Sequence, residues 1–585
     1  MFKPINVYEG SSSALSKWDD AGDALANALA TYLRSCSFLE TFSPNNAVDT
    51  QHLATRIDFS LNTLHTKLSK ELAQSRAILT RMRNKAFSRF HSIPNEIISA
   101  IFMEVVYAPA PDDDPADSMG GTLKIIFGRL YKLLSVCSFW RKMAESLKEL
   151  WSIIPITAGC SGYSTHTITS FILERSQASL SSNRPLYLAA TLSPGIDPHL
   201  PLVDGKAPRF TSINIESPFS YKISQLLDSL LLHSGSLQAI SELSIRQISY
   251  KDPYEGHTIP SRSQYLTDGM PANSHLFTDL VGSVSVLRIR GVYISWDKVT
   301  FSKKLVEICL QSVALGYNSK LTGFLDVLQS ASELRDLKII SVVAFPDAPA
   351  FTKSPVKTIF PKLRSLLLED LDFNVLRTVL GSICAGSHRV TLFLTPQSQR
   401  IYQPNEEPTR VDIQHIYELL KHSTVDTLLL NRDFEDTMWL DHMELHRILH
   451  SLPSLKTLKM AHWQFKKKDL QALERPQSSS FCSSTVAFPS LETLCFIGSY
   501  IRHTEALYGV ATSHPLHTME LGGNIPVMYS DDEDEDTRDE EDMSWGHITD
   551  DDPIVRRLEA IVPGFRLVNS TLGIKDFNRN VWQLW

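Results

Sequence analysis

Three stretches decide the fold: FPKLRSLLLEDL at 360–371, LPSLKTLKMAHW at 452–463 and FPSLETLCFIGS at 488–499. Each sets its apolar residues in the order apolar-x-x-apolar-x-apolar, as Leu363-Leu366-Leu368, Leu455-Leu458-Met460 and Leu491-Leu494-Phe496. A strand turns successive side chains to opposite faces, so the last two apolar positions point into a core and the residues between them point out. The first apolar residue anchors the entering turn. The same spacing recurs at Phe210-Ile213-Ile215, Ile240-Leu243-Ile245, Val284-Leu287-Ile289, Leu334-Leu337-Ile339, Val425-Leu428-Leu430 and Leu516-Met519-Leu521, with a degenerate member at Val390-Leu392-Leu394.

Helix-favouring segments at 223–232, 305–313, 324–328, 416–420 and 443–452 fall between these strands and are expected to close each repeat behind the sheet. That is the leucine-rich-repeat plan, although the starts are 25 to 62 residues apart against roughly 20–29 in regular arrays. The predicted fold class is therefore α/β: a small all-helical module followed by an irregular leucine-rich-repeat-like solenoid of parallel strands and helices. The competing expectation is a non-repetitive α/β domain. A solenoid presents an extended concave surface whose outward residues vary without disturbing the core. Outward candidates are Arg288, Arg335, Lys338, Arg364, Thr427 and Lys456, each of which also suits a plain solvated position.

At 585 residues the chain exceeds a single core, which stops growing at roughly 250–300 residues. It parses into a helical and linker region at 1–52, an amphipathic helix at 53–90, a helical module at 91–155, the repeat domain at 156–525, an acidic insert at 526–552 and a C-terminal cap at 553–585. Leu25, Leu29 and Leu33 step by four in an alanine-rich helix, and a Ser-Pro-Asn-Asn turn follows. In the next helix Leu53, Ile57, Leu61, Leu64, Leu68 and Leu72 form one apolar row. A coiled coil or packing on neighbouring elements both fit that row, and packing is the simpler expectation because Glu71 and Ser75 interrupt the register.

The segment from 91 reads as a helix start: Ser92 can cap, Pro94 suits the first turn and Glu96 favours the positive helix end. Ile97, Ile98, Ile101, Phe102 and Val105 are expected to form its buried face. A loop at 107–122 precedes a second helical pattern running from Leu123 to Met143, which closes on Leu147, Leu150 and Trp151. IPNEIISAIFMEVV followed by LLSVCSFWRKMAESLKELWSII resembles the F-box family, carried by Ile93, Pro94, Glu96, Ile97, Ile101, Phe102, Val136, Cys137, Trp140, Leu150 and Trp151. The resemblance covers about 65 of the 585 residues; Ile93 stands where the family usually has leucine, and the 107–122 loop is longer than usual. It implies docking on a Skp-type adaptor of a cullin–RING ubiquitin ligase through Ile93, Pro94, Glu96, Ile97, Ile101, Val136 and Trp140, with the repeat domain holding a protein target. Any three-helix module would also bury Phe102, Trp140 and Trp151.

Charge and motif content narrow the classes further. The net charge is −8, but thirteen carboxylates and one arginine lie between Asp531 and Asp552, which leaves the rest of the chain near +4. No dense basic stripe of nucleic-acid-binding type is present. The acidic run at 530–542 is expected to be disordered. The N-terminus lacks an apolar core of signal type, no window is apolar enough for a membrane span, and seven scattered cysteines form no CxxC pair. These features predict an intracellular protein, in cytoplasm or nucleus, without nucleic-acid or membrane partners; the Asn569 sequon should then stay unmodified. No GxGxxG, Walker, Gly-x-Ser-x-Gly or HExxH motif occurs. His442, His446 and His450, with Glu444, are the nearest approach to a metal cluster, and a polar helix face is the expectation there. The sequence therefore predicts a non-catalytic adaptor with no cofactor and no metal; an interaction scaffold, or an enzyme whose site is assembled from unlinked residues, are the alternatives.

Overall fold

The computed structural model describes the chain apart from residues 1–7, 44–46, 88–92, 109–117, 158–164, 178–184, 197–208, 234–238, 249–260, 262–263, 267–272, 349–356, 385, 387, 405, 433–438, 477–487, 527–543 and 569–585. The chain divides into two units, Met1–Ile98 and Ser99–Trp585. This boundary lies later than the one expected at residue 90, because one helix runs through it.

The first unit is a helical hairpin. Helix α1 (Tyr8–Glu40) is followed by α2 (Ala47–Phe59), a π-helical segment (Ser60–His65) and α3 (Thr66–Phe87) as one second arm. The Tyr32 hydroxyl ties the arms together, 2.8 Å from Ser60 Oγ and 3.3 Å from His65 Nε2. The expectation that the apolar row packs on neighbours holds only at Leu53 and Leu68, which are half-buried. Ile57, Leu61, Leu64 and Leu72 are exposed, as are Leu25, Leu29 and Leu33 on α1.

Helix α4 (Asn95–Tyr107) bridges the division, and α5 (Met119–Val136) and α6 (Ser138–Ser146) follow. A sixteen-stranded sheet then takes over. Its first members are β1 (Ile153–Ile156), β2 (Leu186–Thr191), β3 (Phe210–Ser217), β4 (Glu242–Gln247), β5 (Val286–Arg290) and β6 (Glu307–Gln311), with α7 (Thr165–Gln177), α8 (Ser220–His233) and α9 (Ser274–Val281) between them. The central stretch contains β7 (Ala314–Tyr317), α10 (Asn318–Leu328), β8 (Asp336–Ile340), β9 (Val343–Phe345), β10 (Ser365–Glu369), α11 (Phe373–Ser382) and β11 (Arg389–Leu394). Short β12 (Arg400–Ile401) and β13 (Thr409–Arg410) precede α12 (Ile413–Lys421), β14 (Thr427–Asn431), α13 (His442–His450), β15 (Thr457–Ala461), β16 (Gln464–Phe465), α14 (Lys467–Leu473) and β17 (Thr493–Ile501). The last elements are α15 (Thr504–Ser513), β18 (Thr518–Pro526), β19 (Trp545–His547), α16 (Pro553–Ile561) and β20 (Gly564–Leu567).

Neighbour follows neighbour along the chain: β1-β2-β3-β4-β5-β6-β8-β10-β11-β14-β15-β17-β18, all parallel. Parallel pairs need a crossover, and here each crossover returns to the next position, so the chain advances as strand-and-turn or strand-and-helix repeats on a leucine-rich-repeat-like plan. The predicted triplets supply the core rows. Ile213, Leu243, Leu287, Ile308, Leu337 and Leu366 lie in register and are buried, and the next row, Ile215 to Leu368, repeats the arrangement. At β11 the register steps by two: Leu368 faces Leu392, which faces Leu428. Three inward residues on one strand, Val390, Leu392 and Leu394, absorb the step, which is why that member looked degenerate.

Residues 305–313 are not helical as expected. They form β6, where Ile308 and Leu310 are buried while Glu307, Cys309 and Gln311 face the other side. Leu305-Ile308-Leu310 is itself a full triplet, overlooked beside Lys303 and Lys304, and it divides the gap between 284 and 334. Other boundaries move too. Residues 153–155, placed in the helical module, pair with β2. The 526–552 insert is structured where it is described, since β19 pairs antiparallel with the end of β18. The C-terminal segment adds a strand, with β20 running parallel to the first half of β18. Together β19 and β20 cover the last edge, a common protection against edge-to-edge pairing. The acidic run at 530–542, Asn569 and the two terminal tryptophans lie outside the described residues.

The corner after each strand also repeats. Gly291, Ser312, Ser341, Asp370 and His462 immediately follow β5, β6, β8, β10 and β15, with φ of 67°, 52°, 46°, 53° and 57°. In each case the left-handed residue donates its backbone N–H to a carbonyl of the next strand: Gly291, Ser312 and Ser341 to its last residue, Gln311, Ile340 and Glu369, and Asp370 and His462 to Phe393 and Ile497 within it. The ladder thus continues one residue beyond the strands.

Candidate functional site

Helix α4 starts on Pro94, whose carbonyl accepts from Ile97 and Ile98 N–H at 3.1 and 3.2 Å. Pro94 therefore stands just before the helix, not within its first turn, and the proposed cap Ser92 lies outside the described residues. Within α4 two apolar rows run side by side at i, i+4, i+8. Ile98, Phe102 and Val106 are 1%, 1% and 0% exposed, whereas Ile97, Ile101 and Val105 are 53%, 40% and 43% exposed. The expectation that Ile97, Ile101 and Val105 are buried is thus corrected: four-residue steps on a 3.6-residue helix keep each row on its own face.

Two more helices support α4. Residues 118–122, expected to be loop, begin α5: Ser118 caps it, accepting from Gly121 N–H at 3.1 Å. In the Val-Cys-x-x-Trp stretch, Cys137 separates α5 from α6 and caps the latter, its Sγ accepting from Trp140 N–H at 3.4 Å. Trp140 then packs on Phe102 with ring centroids 5.1 Å apart, joining α6 to α4. Trp151 is buried and donates from Nε1 to the Ala144 carbonyl at 2.9 Å, while Arg175 lies over its ring at 5.3 Å. Burial pushes the Tyr107 phenol up to about 12, so it remains a donor, at 3.2 Å from the Glu149 carbonyl.

The seven residues singled out in the sequence separate into two kinds. Pro94, Glu96, Ile97 and Ile101 are exposed, and Val136 at the end of α5 is exposed as well. Ile93 and Trp140 are half-buried, and Trp140 is engaged with Phe102, so it is partly core. Sequence reasoning missed Val105, which shares the exposed row of α4.

The helical segment is seated on the repeats through α5. Met119 N–H, at the start of that helix, donates to Glu216 Oε2 on β3 at 3.3 Å, and Arg246 on β4 approaches the same oxygen at 3.5 Å. Burial raises the Glu216 carboxyl above its usual range against the opposing pull of Arg246. The positive end of a helix and a guanidinium are the partners a buried carboxylate needs. Gly120, one residue on, leaves room for the Thr191 side chain, which an added Cβ would meet at 3.4 Å.

On the sheet face opposite the leucine rows, Arg288 and Lys338 flank Glu307. The Arg288 Nε lies 3.1 Å and the Lys338 Nζ 3.3 Å from Glu307 Oε1. Burial pushes the Glu307 carboxyl up, but the two cations outweigh it and hold the group below its usual range. Farther along, Thr391, Thr427, Thr457, Thr493 and Thr518 lie in register on five adjacent strands. The signal was in the sequence: in all five, threonine directly precedes the second apolar residue of its triplet. Of the other outward candidates, Arg335, Arg364 and Lys456 each stand one residue before a strand rather than on it.

The histidine cluster resolves into packing. Asp441 and Glu444 form a reciprocal capping box at the start of α13. His446 Nδ1 lies 3.0 Å from the Ala472 carbonyl and donates to it, its Nε2 lies 3.2 Å from His450 Nε2, and both rings flank Phe488. Among the described residues no group of three or more His, Cys, Asp or Glu side chains is placed to hold a metal ion, and no helix is long and apolar enough to cross a membrane.

No family model and no curated protein sequence matches this chain. Among solved structures the chain is similar to the TLR13–ssRNA13 complex, at 12% identity and a TM-score of 0.25, over 54% of this chain and 43% of that one. A likeness of that size decides nothing, and the leucine-rich-repeat-like plan stands on the strand order and register of the sheet itself.

Proposed function

We propose that the chain is a substrate-recognition adaptor of a cullin–RING ubiquitin ligase. The F-box-like segment docks a Skp-type adaptor, and the repeat sheet holds a protein target. One observation carries the proposal: α4 keeps a second apolar row, Ile97, Ile101 and Val105, in solvent while its first row is buried. A helix that served only its own core would carry one row and a polar opposite face. Pro94, Glu96 and Val136 are exposed as well, and Trp140 supports α4 through Phe102. The sheet face bearing Arg288, Glu307, Lys338 and the threonine row is the surface offered to the target. The chain contributes proximity to chemistry performed by partners, and it needs neither metal nor cofactor. This reading places it inside the cell.

A second reading draws on the seating of α5. Met119 on Glu216 and the continuation of the helical segment into β1 suit a structural cap that covers the first edge of the sheet. One experiment separates the two. The full chain is co-purified with a Skp-type adaptor beside Ile97→Asp/Ile101→Asp, both checked by circular dichroism. Retention of the adaptor by wild type and its loss in a folded variant is the expected result. A folded wild type that retains no adaptor leaves the cap.

A further inference from the structure

We infer that the N-terminal hairpin is a self-association module whose partner is a second copy of the same chain. Two helices packed together bury one seam, yet this hairpin leaves apolar side chains exposed along both arms. On α1 the residues Leu15, Trp18, Leu25, Leu29, Tyr32 and Leu39 follow alternating steps of three and four, with Gly22 and Cys36 filling the two remaining positions. This is the heptad spacing of a helix that meets other helices along one seam. Of these, Leu15, Trp18, Leu25, Leu29 and Leu39 are exposed, Trp18 by 54%. The second arm continues the theme with Ile57, Leu61, Leu64, Leu72, Leu79 and Met82, all exposed. An apolar surface this long is far beyond the scattered exposure usual for a monomer.

Charge selects the occupant. Helix α1 carries five carboxylates against Lys17 and Arg34, a net −3. Helix α3 carries Lys67, Lys70, Arg76, Arg81, Arg83 and Lys85 against Glu71, a net +5. One hairpin thus holds an acidic arm and a basic arm. Two copies related by a twofold axis place each acidic arm against the basic arm of the other copy, closing a four-helix arrangement in which every neighbour has the opposite sign. An isologous contact requires this kind of self-complementarity.

The test uses the full chain. Light scattering after size exclusion, at micromolar concentration and moderate salt, is expected to give twice the 65.8 kDa chain mass. Leu25→Asp/Leu29→Asp should give the single-chain mass with the melting transition of the repeat domain unchanged, since both residues are exposed. Two charge variants then address the pairing of arms. Asp19→Lys/Asp20→Lys/Asp23→Lys makes both arms positive, and Arg76→Glu/Arg81→Glu/Arg83→Glu makes both negative. Each should be monomeric alone, and the two should associate when mixed, because complementarity then exists only between copies. A monomeric wild type, a dimer that survives the leucine variant, or charge variants that stay apart on mixing would each overturn the inference.

Discussion

Replacing Gly291 by alanine tests the repeating left-handed corner. Gly291 ends the turn after β5 at φ +67°, and its N–H donates to Gln311 at 3.0 Å. An added Cβ would lie 2.7 Å from the Gln247 carbonyl oxygen, a backbone atom of the neighbouring strand with little freedom to retreat. The left-handed conformation costs an L-residue roughly 1–2 kcal/mol, and compression against a packed neighbour adds about 1–3 kcal/mol. A total of roughly 2–5 kcal/mol corresponds to about 30- to 4,000-fold in an opening equilibrium, at about 1.4 kcal/mol per tenfold. Because repeats open in local units, the assay is hydrogen exchange read by mass spectrometry on peptides from β4, β5 and β6, under conditions where exchange follows the opening equilibrium. Gly316→Ala is the control. Its φ is also positive, at 92°, but a Cβ there meets only Lys320 Cγ at 3.9 Å, so the compression is missing. Exchange in the Gly291 variant should therefore rise well beyond that in the control. Equal effects from the two substitutions, or none from Gly291→Ala, would refute the claim that the corner is held against the preceding strand.

Two further outcomes follow from burial. On α4, Phe102→Ala should destabilise the segment by about 3–5 kcal/mol, lowering its melting temperature, whereas Ile101→Ala should stay within about 1 kcal/mol and, on the proposed function, weaken adaptor binding measured by calorimetry; equal loss of stability in both would remove the distinction between the rows. Asp372 is buried, and that burial, reinforced by nearby Asp370 and opposed by Arg400, raises its carboxyl well above the usual range. The folded state therefore holds this proton more tightly than the unfolded chain: the contribution to stability is full below the ordinary carboxylate pKa and is lost as pH rises through the elevated one. Asp372→Asn should gain stability over wild type as pH increases from 4 to 8, on the order of 1 kcal/mol, and a urea midpoint difference that is flat with pH would contradict the assignment.

The repeat plan was legible because its signal is local. A strand that alternates faces imposes period two on about six residues, and all nine full triplets became strands of one sheet. What escaped was set by neighbours. Leu305-Ile308-Leu310 has the spacing of every other strand, yet the lysines before it and the leucine and valine steps around it suit a helix equally. Register between β10, β11 and β14 is fixed only across strands, so the degenerate spacing of Val390, Leu392 and Leu394 marks β11 as irregular without showing the two-residue step at Leu392. The left-handed corners were hidden for another reason: glycine marks one of the five strand ends named above, while serine, aspartate and histidine hold the others. On α4 the composition was right and the faces were not. Two adjacent rows of three apolar residues make a helix apolar on two faces, and only the packed structure separates Phe102 from Ile101.

The site thus depends on which of two apolar rows is covered, and α5 bears on how firmly the supporting helices are held. Its first backbone amide is bonded to a carboxylate on β3, Trp140 on α6 packs at a tilt on Phe102, and Trp151, two residues before β1, donates to the Ala144 carbonyl on α6. These contacts run without interruption from the helical segment into the first strands, with buried residues at each step: Leu123, Leu130, Ala144, Leu150, Trp151 and Ile154. A segment joined to the sheet by shared core moves with it rather than as a bead on a linker. For an enzyme partner acting by proximity, a fixed placement narrows the volume in which target and catalyst meet and raises their effective concentration. The same rigidity suits an edge cap equally well. What the cap has no use for is the row Ile97, Ile101 and Val105, because apolar side chains left in water stabilise nothing until a partner covers them.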